Sequence, residues 1–217
     1  MRFDNNKETI EDIPTINIVY ILDSSSSMST KYENAKRGFL EELSELSTRT
    51  DVKYTFTFVE FSSNLTTHIY KEVNLDVVNK ALLNLRMLGG MTSLHDAVGE
   101  TLSKLTRDNI EGEKTLVNIA TDGGENNSRK FRAGDVKELT ASAEKLGFTV
   151  TFVGTVADTK VAVQDYGLKM SNTLNHDNTA KGMEKMSRTR SAATKQYSSF
   201  VVAGQDVSED FYTKFKE

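Results

Sequence analysis

The run Asn17-Ile18-Val19-Tyr20-Ile21-Leu22 stops on a carboxylate, Asp23, and passes directly into Ser24-Ser25-Ser26-Ser27. Consecutive apolar residues rich in Ile and Val, with no polar alternation, suit a strand covered on both faces, as in the middle of a parallel sheet. Asp23 then falls at the carboxyl edge of the core. Because Asp23, Ser25 and Ser27 alternate along the chain, an extended or gently turning segment points their oxygens to one side. Hard cations such as Mg2+ bind oxygens so arranged. Short hydroxyl runs also serve as loops and helix N-caps, so further donors must come from elsewhere in the chain.

The sequence after this run alternates helical and extended patterns. Ala35, Phe39, Leu40, Leu43 and Leu46 recur at helical spacing over 32–46. Two β-branched and aromatic runs, 53–61 and 65–70, flank Ser62-Ser63-Asn64 and predict a hairpin. Helices are expected over 75–88 and 94–106, interrupted by Gly89-Gly90, a pair that permits a tight turn. The stretch from Thr115 to Thr121 repeats the opening design, a buried strand ending on Asp122 and then Gly123-Gly124. A helix over 134–147, a strand over 148–154, a helix over 159–166, a weak strand over 171–175 and a helix over 178–196 complete the order. Such alternation predicts a doubly wound α/β three-layer sandwich, Rossmann-like, with a mostly parallel central sheet and one antiparallel edge strand from the hairpin.

Residues 1–14 read as a polar arm ending at Pro14, residues 15–197 as one domain, and 198–217 as a C-terminal extension packed on it. Within that extension Phe200, Val201 and Val202 suggest a strand or packed segment, and Val207, Phe211 and Phe215 form one helical stripe. The 217 residues are enough for one sizeable core. A net charge of −4 with no basic block argues against nucleic acid as a direct partner. The absence of cysteine excludes disulfides, zinc thiolates and thiol nucleophiles, so any metal must be held by oxygen or by the three histidines. No apolar run reaches the roughly 18 residues of a membrane helix. The polar N-terminal segment lacks the pattern of a signal peptide, and a cytoplasmic location is expected.

In open α/β sheets ligands bind beyond the carboxyl ends of the strands, where the strand order reverses. If the strands ending on Asp23 and Asp122 are neighbours, both carboxylates meet there, and Thr92 after the glycine pair can add a hydroxyl. Taken together, Asp23-x-Ser25-x-Ser27, Thr92 within Gly-Gly-Met-Thr-Ser-Leu-x-Asp-Ala, and Thr-Asp122-Gly-Gly resemble the metal-ion-dependent adhesion site of von Willebrand factor type A domains, including integrin inserted domains. The resemblance covers about 15–197, and the order and separation of all three parts agree. It implies that Ser25, Ser27 and Thr92 coordinate Mg2+ or Mn2+ directly while Asp23 and Asp122 act largely through bound water. It further implies a position left for a carboxylate from a partner protein presenting Asp or Glu, and work beside an ATPase or within a multi-protein assembly. Ser26 stands where many members of that family have glycine, which bears on the shape of the loop.

Other polar residues carry weaker expectations. His68 and His95 are isolated and read as plain surface or satisfied side chains rather than ligands or bases. Asp96 is placed either to orient Thr92 and its loop or to cap the helix it begins. Glu125 lies near the rim and reads as a solvated loop residue, with tuning of selectivity as the sharper alternative. The favoured function is a non-catalytic, metal-dependent protein-binding module. A Mg2+-dependent phosphohydrolase is the competing class, disfavoured because no Lys or Arg lies within the motifs and no second Asp nucleophile follows Asp23. A structural domain that has lost its ligand is the third reading.

Overall fold

The computed structural model describes residues 13–177, 179–205 and 210–213. Six strands form one sheet in the order β3-β2-β1-β4-β5-β6. They are β1 (Thr15–Asp23), β2 (Lys53–Phe61), β3 (Leu65–Glu72), β4 (Lys114–Ala120), β5 (Thr149–Gly154) and β6 (Thr173–Asn175). All pairings are parallel except β2 with β3, the antiparallel hairpin at one edge. The doubly wound architecture expected from the alternation is therefore what the chain adopts.

β1 is central because it is covered on both faces. Ile16, Ile18, Tyr20 and Leu22 join one core, and Val19 and Ile21 join the other. Each is at most 1% exposed, and burial of an aliphatic side chain of this size contributes about 1.5–3 kcal/mol. The first face carries α1 (Tyr32–Leu46), α2 (Leu75–Asn84) and α6 (Ala180–Val202), through residues such as Phe39, Val78 and Met183. The second carries α3 (Leu94–Arg107), α4 (Ala133–Lys145) and α5 (Val156–Asp165), through Val98, Val136 and Ala162. From β1 the chain winds outward in both directions, to β2 and to β4, so the switch point lies between the carboxyl ends of β1 and β4.

Two element ends differ most from expectation. α2 ends at Asn84 rather than near 88, and Leu85 takes an extended ψ of 141°. The following backbone serves another purpose: the N–H of Leu88 donates to Ser24 Oγ and that of Gly89 to Ser24 O, at 2.7 and 2.8 Å. Residues 200–202 are not a strand but the last turn of α6, with Val201 still facing the core. The helical stripe over Val207, Phe211 and Phe215 falls largely outside the described residues. Phe211 and Tyr212 are buried, and their N–H groups donate to Asn172 Oδ1 and Ser171 O.

α1 and α6 approach closely at Gly38, where an added Cβ would lie 2.5 Å from both Cβ and Oγ of the buried Ser187. Gly38→Ala is expected to destabilise the fold by about 1–3 kcal/mol through overpacking, despite alanine's better helix propensity. Urea unfolding checks this, and Ser187→Gly should return most of the loss; full additivity of the two changes would contradict the contact.

Candidate functional site

Three loops meet at the switch point. The first leaves β1 through Ser24 and Ser25 into a short 3-10 turn, Ser26–Thr30. The second is the stretch between α2 and α3 that carries Thr92, and the third follows β4. The first two are laced together by Ser24 and Ser26. Besides the two bonds from Ser24, Ser26 N–H donates to Gly90 O at 3.1 Å, and Gly90 N–H donates to Ser26 Oγ at 2.8 Å. Serine at position 26 thus binds the neighbouring loop instead of distorting its own. Gly90 has φ +93°, and a Cβ there would lie 2.6 Å from Ser63 Oγ, so the turn requires glycine.

Asp23 is fully buried at the end of β1. Its Oδ1 accepts the Ser25 N–H at 2.7 Å and its Oδ2 accepts the Thr121 hydroxyl at 2.6 Å. Burial pushes the Asp23 carboxyl above its ordinary value; the bonds from Thr121 and Ser25 pull it down, and the neighbouring Asp122 carboxylate adds to the rise. From there a chain of oxygens runs outward. Ser25 Oγ lies 3.1 Å from Ser27 Oγ, which donates to Asp122 Oδ1 at 2.7 Å. Thr92 stands opposite, with a Cβ placed on Gly123 lying 3.3 Å from Ser27 Oγ and 3.8 Å from Thr92 Oγ1. Asp23, Ser25, Thr92 and Asp122 are buried and Ser27 is exposed, so the cluster opens to solvent at one side. All five residues singled out in the sequence come together here.

Two carboxylates and three hydroxyls gathered at one switch point suit a hard divalent cation. Among the described residues no group of three or more His, Cys, Asp or Glu converges, so a cation would have to be held with hydroxyl oxygens. The donor chemistry therefore fits the ion the motifs imply.

The third loop is held by two carboxylates. Asp96 does not cap its own helix; it accepts the N–H groups of Arg129, Lys130 and Phe131 at 2.8–2.9 Å. Glu125 is not a solvated loop residue. It accepts the N–H groups of His95, Asn127 and Ser128 and the Ser128 hydroxyl, at 2.6–2.8 Å. Thr92 is joined to the same loop, donating its N–H to Asn126 Oδ1 and accepting from Asn126 N–H. For both Asp96 and Glu125 burial would raise the carboxyl, but the sum of hydrogen bonds holds it below its ordinary value. A depressed folded value means stability that is complete above the ordinary carboxylate range and is lost as pH falls through the depressed values. Acid unfolding of Glu125→Gln should accordingly show a weaker pH dependence in that window; an unchanged dependence would contradict the hub.

His68 and His95 sit as plain, partnered side chains. His95 Nε2 is 3.0 Å from the Tyr166 hydroxyl, and His68 Nε2 is 2.9 Å from Glu60 Oε2.

Lys31 was missed in the sequence. Four residues beyond Ser27, its ammonium donates to Asp122 Oδ2, and both side chains are at most 5% exposed. The motifs themselves hold no Lys or Arg, but the fold brings a cation to them from just outside. No local pattern points to it: the turn after Ser27 brings residue 31 back toward the site only once folded.

The von Willebrand factor type A domain model matches residues 17–191. The chain belongs to that family. Solved structures with the fold include proximal thread matrix protein 1 from the mussel byssus, in two descriptions at 13% and 16% identity with TM-scores of 0.61 and 0.60, each covering 81% of this chain and 44% of that one. A third, with a zinc-occupied metal-ion-dependent adhesion motif, has 15% identity and a TM-score of 0.62, covering 88% of this chain and 46% of that one. This von Willebrand factor type A chain thus spans less than half the length of those proteins, and at such identity the likeness is one of fold. No curated protein sequence matches it significantly. Type A domains are in general adhesion and interaction modules. No helix among the described residues is long and apolar enough to cross a membrane.

Proposed function

We propose that this domain is a non-catalytic protein-binding module whose site takes Mg2+ or Mn2+ and, through it, a carboxylate of a partner protein. The observation that carries the reading is the convergence of Asp23, Ser25, Ser27, Thr92 and Asp122 at the switch point, with the opening at Ser27. Ser25, Ser27 and Thr92 would hold the ion directly, and Asp23 and Asp122 would hold it largely through water while roughly matching its charge. A divalent ion bound there supplies an electrophilic position for an Asp or Glu side chain.

The surroundings suit a partner surface. Met87, Leu88 and Met91 on the Thr92 loop are 37–51% exposed, and a polar cleft of about 520 Å³ lined by Ser63, Ser93, Asn127 and Arg129 adjoins the same loops. An acidic side chain flanked by apolar ones would match this rim. A multi-protein assembly, including one built on an ATPase, is the setting we infer.

Lys31 is the one observation that favours phosphoryl transfer, which needs a cation near the phosphate. Its ammonium, however, is turned to Asp122 and buried, and hydroxyls stand where an aspartate nucleophile would be wanted. Affinity capture with the full chain in Mg2+ should retain a partner that is lost in EDTA and with Asp23→Ala. Steady phosphatase turnover in Mg2+, abolished by Asp23→Ala, would overturn the binding reading.

A further inference from the structure

Lys31 occupies an unfavourable place for a cation. It lies between the 3-10 turn and α1, with its N–H donated to Met28 O and its carbonyl accepting from Ala35 N–H, so it stands at the N-terminal end of α1. There the helix dipole repels positive charge, and burial of the ammonium adds a desolvation cost. Asp122 helps to offset both, through its Oδ2. The other Asp122 oxygen is taken by Ser27, and both Asp23 oxygens are taken by Ser25 and Thr121. Each oxygen of the two carboxylates thus already accepts one hydrogen bond from the protein, with an internal cation among the donors.

Charge then decides what the site accepts. Among Asp23, Asp122 and Lys31, two carboxylates and one ammonium leave a single net negative charge. A divalent ion alone would turn that into a net positive charge in a largely buried site, whereas the ion together with one incoming carboxylate brings it to zero. Without Lys31 the ion alone would already be neutralised.

We infer that Lys31 is a resident counter-cation that makes metal binding and carboxylate binding depend on each other. This rests on the metal-socket reading above. Lys31 weakens the hold on metal in the absence of an acidic partner and raises the reward for binding both. By linkage the coupling is reciprocal, and couplings of this kind span about 5–150-fold.

The test is calorimetric titration of Mn2+ into the full chain in sodium chloride and in sodium acetate at equal ionic strength. Acetate should raise Mn2+ affinity of the unaltered protein by about fivefold or more. Lys31→Met and Lys31→Gln should bind Mn2+ more tightly than the parent in chloride and gain less than about twofold from acetate; Lys31→Arg should behave as the parent. If Mn2+ binds the parent but acetate changes nothing, the role of Lys31 is overturned while the socket stands, and this arm needs no variant. If the neutral variants fold and bind Mn2+ no more tightly, Lys31 is again overturned. If Mn2+ does not bind the parent at all, both readings fall.

Discussion

Replacing Arg190 by alanine is expected to cost about 3–5 kcal/mol, the largest loss from any single substitution considered for this chain. Arg190 on α6 and Glu42 on α1 are both fully buried, with Nε and Nη2 each 2.9 Å from Glu42 Oε2. The guanidinium also lies 4.1 Å from the Phe39 ring centroid. The pair is incompletely satisfied, since among the described residues neither Glu42 Oε1 nor Arg190 Nη1 meets a hydrogen-bond partner. Truncating one member strands the other charge in the core between α1 and the sheet. Replacing both, as Glu42→Leu with Arg190→Met, should come within about 1 kcal/mol of the parent or exceed it, because a buried ion pair barely repays its desolvation. Urea unfolding of the parent and the two variants checks this; equal losses for the single and double changes would contradict it.

The second large effect is stabilisation by metal. A ligand bound only by the native state at a thousandfold excess over its Kd adds about 4 kcal/mol, which raises the thermal midpoint of a domain this size by about 8–16 °C. Thr92→Ala removes one hydroxyl from the cluster and leaves the backbone bonds to Asn126 in place. A tenfold loss of affinity would take away about 1.4 kcal/mol of that stabilisation. Differential scanning calorimetry in Mg2+ and in EDTA provides the comparison. An identical metal-induced shift in parent and variant would remove Thr92 from the site.

Much of this was legible in the sequence because burial on both faces writes itself as an unbroken apolar run. The strands ending on Asp23 and Asp122 were readable for that reason, and so was the sheet they imply. Less legible were features set by contacts between loops. The early end of α2 depends on Ser24 capturing the backbone at Leu88 and Gly89, a contact 64 residues away in the chain. Glu125 looked like a solvated rim residue because the four donors it gathers are visible only once the loop is folded. Lys31 escaped for a related reason: a lysine outside the strict motif spacing carries no local signature, and its pairing with Asp122 spans 91 residues. Residues 200–202 read as a strand or a packed segment, and only the packing held, because three apolar side chains in a row fit a strand as well as the end of a long helix.

We propose that Asp23, Ser25, Ser27, Thr92 and Asp122 together hold one divalent ion. The most direct measurement is an electron paramagnetic resonance titration of Mn2+ against the purified chain and against Ser27→Ala/Thr92→Ala. One bound Mn2+ per parent chain, displaced by Mg2+ and lost in the variant, is the result predicted. Mn2+ bound equally by parent and variant, or by neither, would contradict it.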